Sequence, residues 1–132
     1  MTDHPIDVAM RAAKPAPHIG PVKSAVGGRT DLHPVDVPSE SFVIPSDVVS
    51  GLGEGNTDNG QLLLSKMFSQ TSEHGPTTPI MIAGGEHVIG PTAIKRIGNG
   101  DLKRGMGILR EFVLHARKQI IKETSKLAGP HR

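Results

Sequence analysis

The chain has no cysteine, no tryptophan and no tyrosine, and only three phenylalanines. Without cysteine there are no disulfides, no thiolate nucleophile and no Cys-ligated zinc. Aromatic side chains bury the most area per residue, so burial here has to come from Ile, Leu, Val and Met. No apolar run is long enough to span a bilayer, and the first residues lack the charged-then-apolar pattern of a secretory signal. These absences predict a soluble protein made in the cytosol, with no membrane partner. What is plentiful is punctuation. Sixteen Gly and eleven Pro make up about a fifth of the 132 residues, the signature of turns and extended segments. At this length the chain is one ordinary domain or two very small ones. A lean core then implies either long arms around it or stability gained from partner chains.

Against this background one pattern occurs twice. Pro34, Val43, Ile44, Gly53, Gly55, Gly60 and Leu64 recur, 45 positions later and without a gap, as Pro79, Val88, Ile89, Gly98, Gly100, Gly105 and Leu109. Eight further positions keep apolar character, among them Val37/Ile82, Val49/Ile94, Leu52/Ile97 and Met67/Phe112. Residues 34–68 and 79–113 therefore read as two copies of one supersecondary unit.

In chain order, residues 1–33 read as an extended Pro/Gly-rich arm. Pro5, Pro15, Pro17 and Pro21 forbid a long helix, leaving room for two helical turns over residues 6–14 at most. A lone monomer should leave much of this arm disordered. In the first unit, Val35-Asp36-Val37 and Phe42-Val43-Ile44 flank a short polar link, which predicts a β-hairpin. Pro45 then starts a short helix ending at Gly53, and Asn56, Thr57 or Asp58 caps a second one through Phe68. Residues 69–78 are a linker by composition. The second unit repeats the plan: Ile80-Met81-Ile82 and His87-Val88-Ile89 around Ala83-Gly84-Gly85-Glu86, a short helix from Gly90-Pro91, and Asp101 as the next cap.

The last helix is expected over about 102–127, with a tail at 128–132. Leu102, Met106, Leu109, Val113, Ala116 and Ile120 are spaced four, three, four, three, four, a seam of the coiled-coil type. Arg104, Arg110, Arg117, Lys118 and Lys122 fall largely off it. The net charge of +2 hides an asymmetry: residues 101–132 hold eight Lys/Arg against three Asp/Glu, whereas residues 1–100 hold seven against ten. An acidic body with a basic helical tail suits self-assembly or an anionic partner.

Reactive constellations are lacking. Seven histidines are scattered, with no His-x-x-x-His or His-Glu-x-x-His among them, so they read as surface or hairpin residues and no metal or cofactor is expected. Gly51-Leu52-Gly53-Glu54-Gly55 has the glycines of a phosphate loop. A short helix precedes it, however, and no Lys-Ser or Lys-Thr follows. Its counterpart at residues 98–100 makes both a helix–helix joint. Glu86 and Asp101 have no partner carboxylate or nucleophile in the sequence, and Ser39 and Ser41 lack a nucleophile-elbow context. No catalytic residue is assigned and no small-molecule substrate is expected. The basic face of the last helix could touch phosphates, but no aromatic residues interleave with it for base stacking.

The segment Ser41-Phe42-Val43-Ile44-Pro45-Ser46-Asp47-Val48-Val49-Ser50-Gly51-Leu52-Gly53-Glu54-Gly55-Asn56-Thr57 resembles a module of tailed-bacteriophage proteins. That module reads roughly Gly-Glu-Phe/Tyr-Val-Ile-Pro-Ala-Asp-Val-Val-Ser-x-Leu-Gly-x-Gly-Ser/Thr, and is found near the ends of tail tape-measure proteins and in small phage structural proteins. Gly28-Arg29-Thr30-Asp31 and Ala83-Gly84-Gly85-Glu86-His87-Val88-Ile89 fit the same pattern. The second copy departs after Ile89, with Gly-Pro-Thr for Pro-Ser-Asp. The resemblance implies a virion structural protein rather than an enzyme, and leaves tail, neck, portal and capsid open.

The sequence thus predicts an α+β chain of two β-hairpin–helix–helix units with an N-terminal arm and a long amphipathic C-terminal helix. Its expected partners are copies of itself and other virion proteins, met through Leu102, Met106, Leu109, Val113 and Ile120. The rival expectation is a DNA-contacting accessory protein using Arg110, Arg117, Lys118 and Lys122.

Overall fold

The computed structural model describes residues 16–23 and 32–127, with side chains to residue 123. The two helical turns considered for residues 6–14 and the tail from 128 lie outside the described residues. The architecture is mixed α+β: β1 (Gly20–Pro21), β2 (Leu32–Pro38), β3 (Phe42–Ile44), α1 (Ser46–Leu52), α2 (Thr57–Met67), β4 (Thr77–Ala83), β5 (His87–Ile89), α3 (Pro91–Ile97) and the long α4 (Leu102–Leu127). Among these helices none is long and apolar enough to cross a membrane.

Each helix forms where its termini are satisfied. Pro45 in extended conformation precedes α1, and Pro91 occupies the first turn of α3, a place where the missing N–H has no partner to lose. The Asn56 side chain accepts a hydrogen bond from the Asn59 N–H (3.0 Å) at the start of α2. Asp101 does the same for the Arg104 N–H (3.2 Å) at the start of α4.

The two joints between short and following helix are built alike. Glu54 and Asn99 share φ +57°, and Gly55 and Gly100 follow at φ +88° and +97°. The N–H of Gly55 bonds the Ser50 carbonyl and that of Gly100 the Lys95 carbonyl, closing each short helix. One turn into the next helix, a Cβ on Gly60 would run into the Val49 carbonyl, and one on Gly105 into the Ile94 carbonyl. Glycine at these two places lets backbone touch backbone.

The strands depart from the expectation. Neither unit forms its own hairpin. β2 pairs antiparallel with β4, from Leu32↔Ala83 to Pro38↔Thr77. β3 pairs with β5 through Phe42↔Ile89, Val43↔Val88 and Ile44↔His87. The centres of the two ladders, Val35↔Ile80 and Val43↔Val88, each join residues 45 apart, so the pairing is symmetric between the halves. A tight turn is present at Ala83–Glu86, where the Glu86 carboxylate accepts from the Ala83 N–H at 2.7 Å, but it turns the chain from one sheet into the other. The physical reason is burial. Crossing over lets Val22, Val37, Ile82 and Val88 form one closed cluster, flanked by Val35, Val43 and Ile80, which a self-contained hairpin would leave half open.

The larger core is helical. Ile44, Val48, Val49, Leu64, Ile89, Ala93, Ile94, Leu109, Val113 and Ala116 form one buried cluster. Phe68 meets Phe112 edge-on, ring centroids 5.7 Å apart, a favourable aromatic geometry.

The described part of the arm, residues 16–23, is held by its own chain. β1 pairs with β5, Val22 exchanges backbone hydrogen bonds with Gly85 and Glu86, and its side chain is buried. The linker is also anchored. Gln70 donates to the Val88 carbonyl and accepts from the Gly90 N–H, and Glu73 holds both the N–H and the hydroxyl of Thr92.

Candidate assembly surface

The seam of α4 meets its own chain. Leu109, Val113 and Ala116 are buried in the helical core, and Leu102 and Met106 pack against it. Ile120 lies on Gly51, where it fills the space a side chain would need. The stripe expected to meet a second molecule is therefore spent on α1, α3 and β3. An amphipathic stripe specifies that it will be covered, not by which chain.

The basic face is divided. Arg117 grips the Asp47 carboxylate on α1 with two hydrogen bonds of 2.9 Å, from Nε and Nη2. That pairing holds Asp47 below the usual carboxylate range and raises Arg117. Arg110, Lys118 and Lys122 are exposed. Arg96 donates to the Ser69 carbonyl at 3.0 Å.

His87 does not sit on the surface. It is fully buried, and its Nδ1 lies 2.6 Å from Gln61 Oε1. The Gln61 amide nitrogen donates to the carbonyls of Gly85 and Glu86, so its oxygen faces the imidazole and Nδ1 is the protonated nitrogen. Nε2 has no hydrogen-bond partner among the described residues. Burial, and secondarily the charge of His18, push the imidazole down to about 4. The counterparts of His87 and Gln61 are Phe42 and Met106, both packed on the helical core. One polar contact thus stands where the other half is apolar.

Among the described residues no three His, Asp or Glu side chains are grouped to hold a metal ion. A groove between α1 and α4 is lined by Leu52, Phe112, Ala116 and Ile120 together with His115 and Glu123.

What the surface does offer is apolar side chains in water. Leu62 and Leu63 on α2, Met81 on β4, and Ile108, Leu114 and Ile121 on α4 are all exposed. Sequence reasoning singled out none of Leu62, Leu63 and Met81 as a surface residue. The signal was available: Leu62-Leu63-Leu64 is wider than the face an eleven-residue helix can bury. No protein-family model, no curated protein and no solved structure matches this chain.

Proposed function

We propose that the protein is a non-enzymatic structural component of a tailed-phage particle, in the tail, neck, portal or capsid, acting through protein–protein assembly. We further propose that residues 34–68 and 79–113 are one unit used twice. The observation that carries the first reading is the Ser41–Thr57 segment and its likeness to the phage module. In the fold this segment is β3, α1 and the joint after it. Its apolar residues Ile44, Val48 and Val49 are buried, so the resemblance falls on the framework of the fold rather than on a reactive site. The exposed apolar residues of α2 and α4 support docking on other chains. Mass spectrometry of density-purified phage particles from a lysate carrying this gene tests the reading. A fixed copy number per particle, retained after a salt wash, is expected. Absence from the particles overturns it.

The rival reading, duplex contact through Arg110, Arg117, Lys118 and Lys122, finds one of its four cations already engaged by Asp47. A duplex titration at two salt concentrations checks it, since phosphate contacts weaken steeply with salt.

A further inference from the structure

The two following helices carry opposite charge at matching exposed positions. Along α2, Asp58, Leu62 and Lys66 lie four residues apart on one outward ridge, and Leu62 is 62% exposed. Forty-five positions on, the same ridge of α4 reads Lys103, Gly107 and Glu111. Lys103 and Glu111 are exposed, and a side chain added at Gly107 would meet nothing within 4 Å. Each sign is reversed, and the apolar knob is replaced by a gap. Ridges of residues four apart are the surfaces through which helices pack.

We infer that the outward ridge of α2 in one copy of this chain docks on the outward ridge of α4 in a second copy. The inference rests on the assembly reading and adds the surface and its direction. With the helices parallel and in register, Asp58 faces Lys103, Leu62 enters the gap at Gly107 and Lys66 faces Glu111. With the helices antiparallel, Asp58 faces Glu111 and Lys66 faces Lys103, both repulsive. Charge therefore selects the parallel arrangement, as alternating charges do between the helices of coiled coils. A contact that uses one ridge from each copy leaves the other ridge of each copy free. Such a heterologous contact propagates into a ring or a filament. One small contact with exposed ion pairs is weak by itself, and closure of a ring makes up the affinity.

Sedimentation velocity on the full chain over a concentration series tests this. Concentration-dependent association is expected for the natural protein. Asp58→Lys and Lys103→Asp should each weaken it by roughly tenfold or more, because like charges then meet. The double variant Asp58→Lys/Lys103→Asp should return to within about threefold, since every contact again pairs opposite charges. Both positions are exposed, and unchanged thermal melts will show that the fold is intact. Association untouched by either single change, or not rescued by the double change, overturns the inference while leaving the assembly reading in place. A natural protein that stays monomeric at every concentration also overturns it, and the particle-content measurement then decides the assembly reading separately. Should Lys103→Asp abolish binding to duplex DNA and leave self-association unchanged, nucleic acid owns the α4 ridge and the inference is wrong.

Discussion

Residues 57–67 and 102–127 form helices that begin alike and end differently. Both are capped by a side chain from the preceding loop, and both press a glycine against the carbonyl of the preceding short helix. α2 then stops at Met67, whereas α4 runs on to Leu127. The additional length crosses the gap between the halves. Val113 and Ala116 enter the core, Ile120 covers Gly51, and Arg117 takes Asp47. In the other half the covering is done by the irregular segment after α2, through Ser69, Gln70 and Glu73. The same joint is thus compatible with two kinds of cover, and the joint rather than the cover is what the two halves hold in common.

The strongest way to break this comparison is at the joints. Gly60→Ala and Gly105→Ala each place a methyl group against backbone, which cannot yield, and each should cost about 3 kcal/mol or more in urea denaturation. If the joints are alike, the two losses agree within about 0.5 kcal/mol. A tolerated alanine at either site would show that the halves differ where they look most similar.

Next comes the polar contact that only one half contains. The His87 imidazole is held neutral with its affinity for protons near pH 4, below the ordinary 6.5. The unfolded chain therefore takes up a proton first as pH falls. Stability from this group is intact above about pH 6.5 and declines as pH drops toward 4, by a total of up to about 3 kcal/mol. Copying the apolar half with His87→Phe/Gln61→Met should flatten that decline, whereas His87→Phe alone leaves the Gln61 oxygen unpaired and costs about 1–3 kcal/mol. Denaturation at pH 7, 5.5 and 4 reads both.

Smaller effects belong to the long helix. Ile120→Ala removes a partly buried contact on α1 and should cost about 1 kcal/mol by thermal unfolding, less than a fully buried isoleucine would. Asp47→Ala or Arg117→Ala should cost well under 1 kcal/mol, because the pair is largely exposed. That difference should vanish near 1 M salt, where screening is short-ranged.

Much of the element order could be read from the residues, because Gly53, Gly55, Gly98 and Gly100 mark the joints and Asn56 and Asp101 mark helix starts. Strand partners could not. Val35-Asp36-Val37 alternates in the same way whether its neighbour is Phe42–Ile44 or Ile80–Ile82, and local alternation carries no address. The seam of α4 was visible as a stripe, but its partner, here the rest of the chain, was not. His87 reads as a turn-flanking polar residue until Gln61, 26 positions away, closes over it. The opposed ridges of α2 and α4 were hidden for another reason: alignment rewards sameness, and these positions matter through their differences.

Because none of the described strands of the first half finds its main partner within that half, the order of synthesis matters. A ribosome must release the chain past Ile89 before β2 and β3 have anything to pair with. Until then Val35, Val37, Val43 and Ile44 wait uncovered in the nascent polypeptide. A second copy offers the same complementary strands as the chain's own second half. The same geometry that interlocks a single molecule then lets two molecules exchange halves at birth.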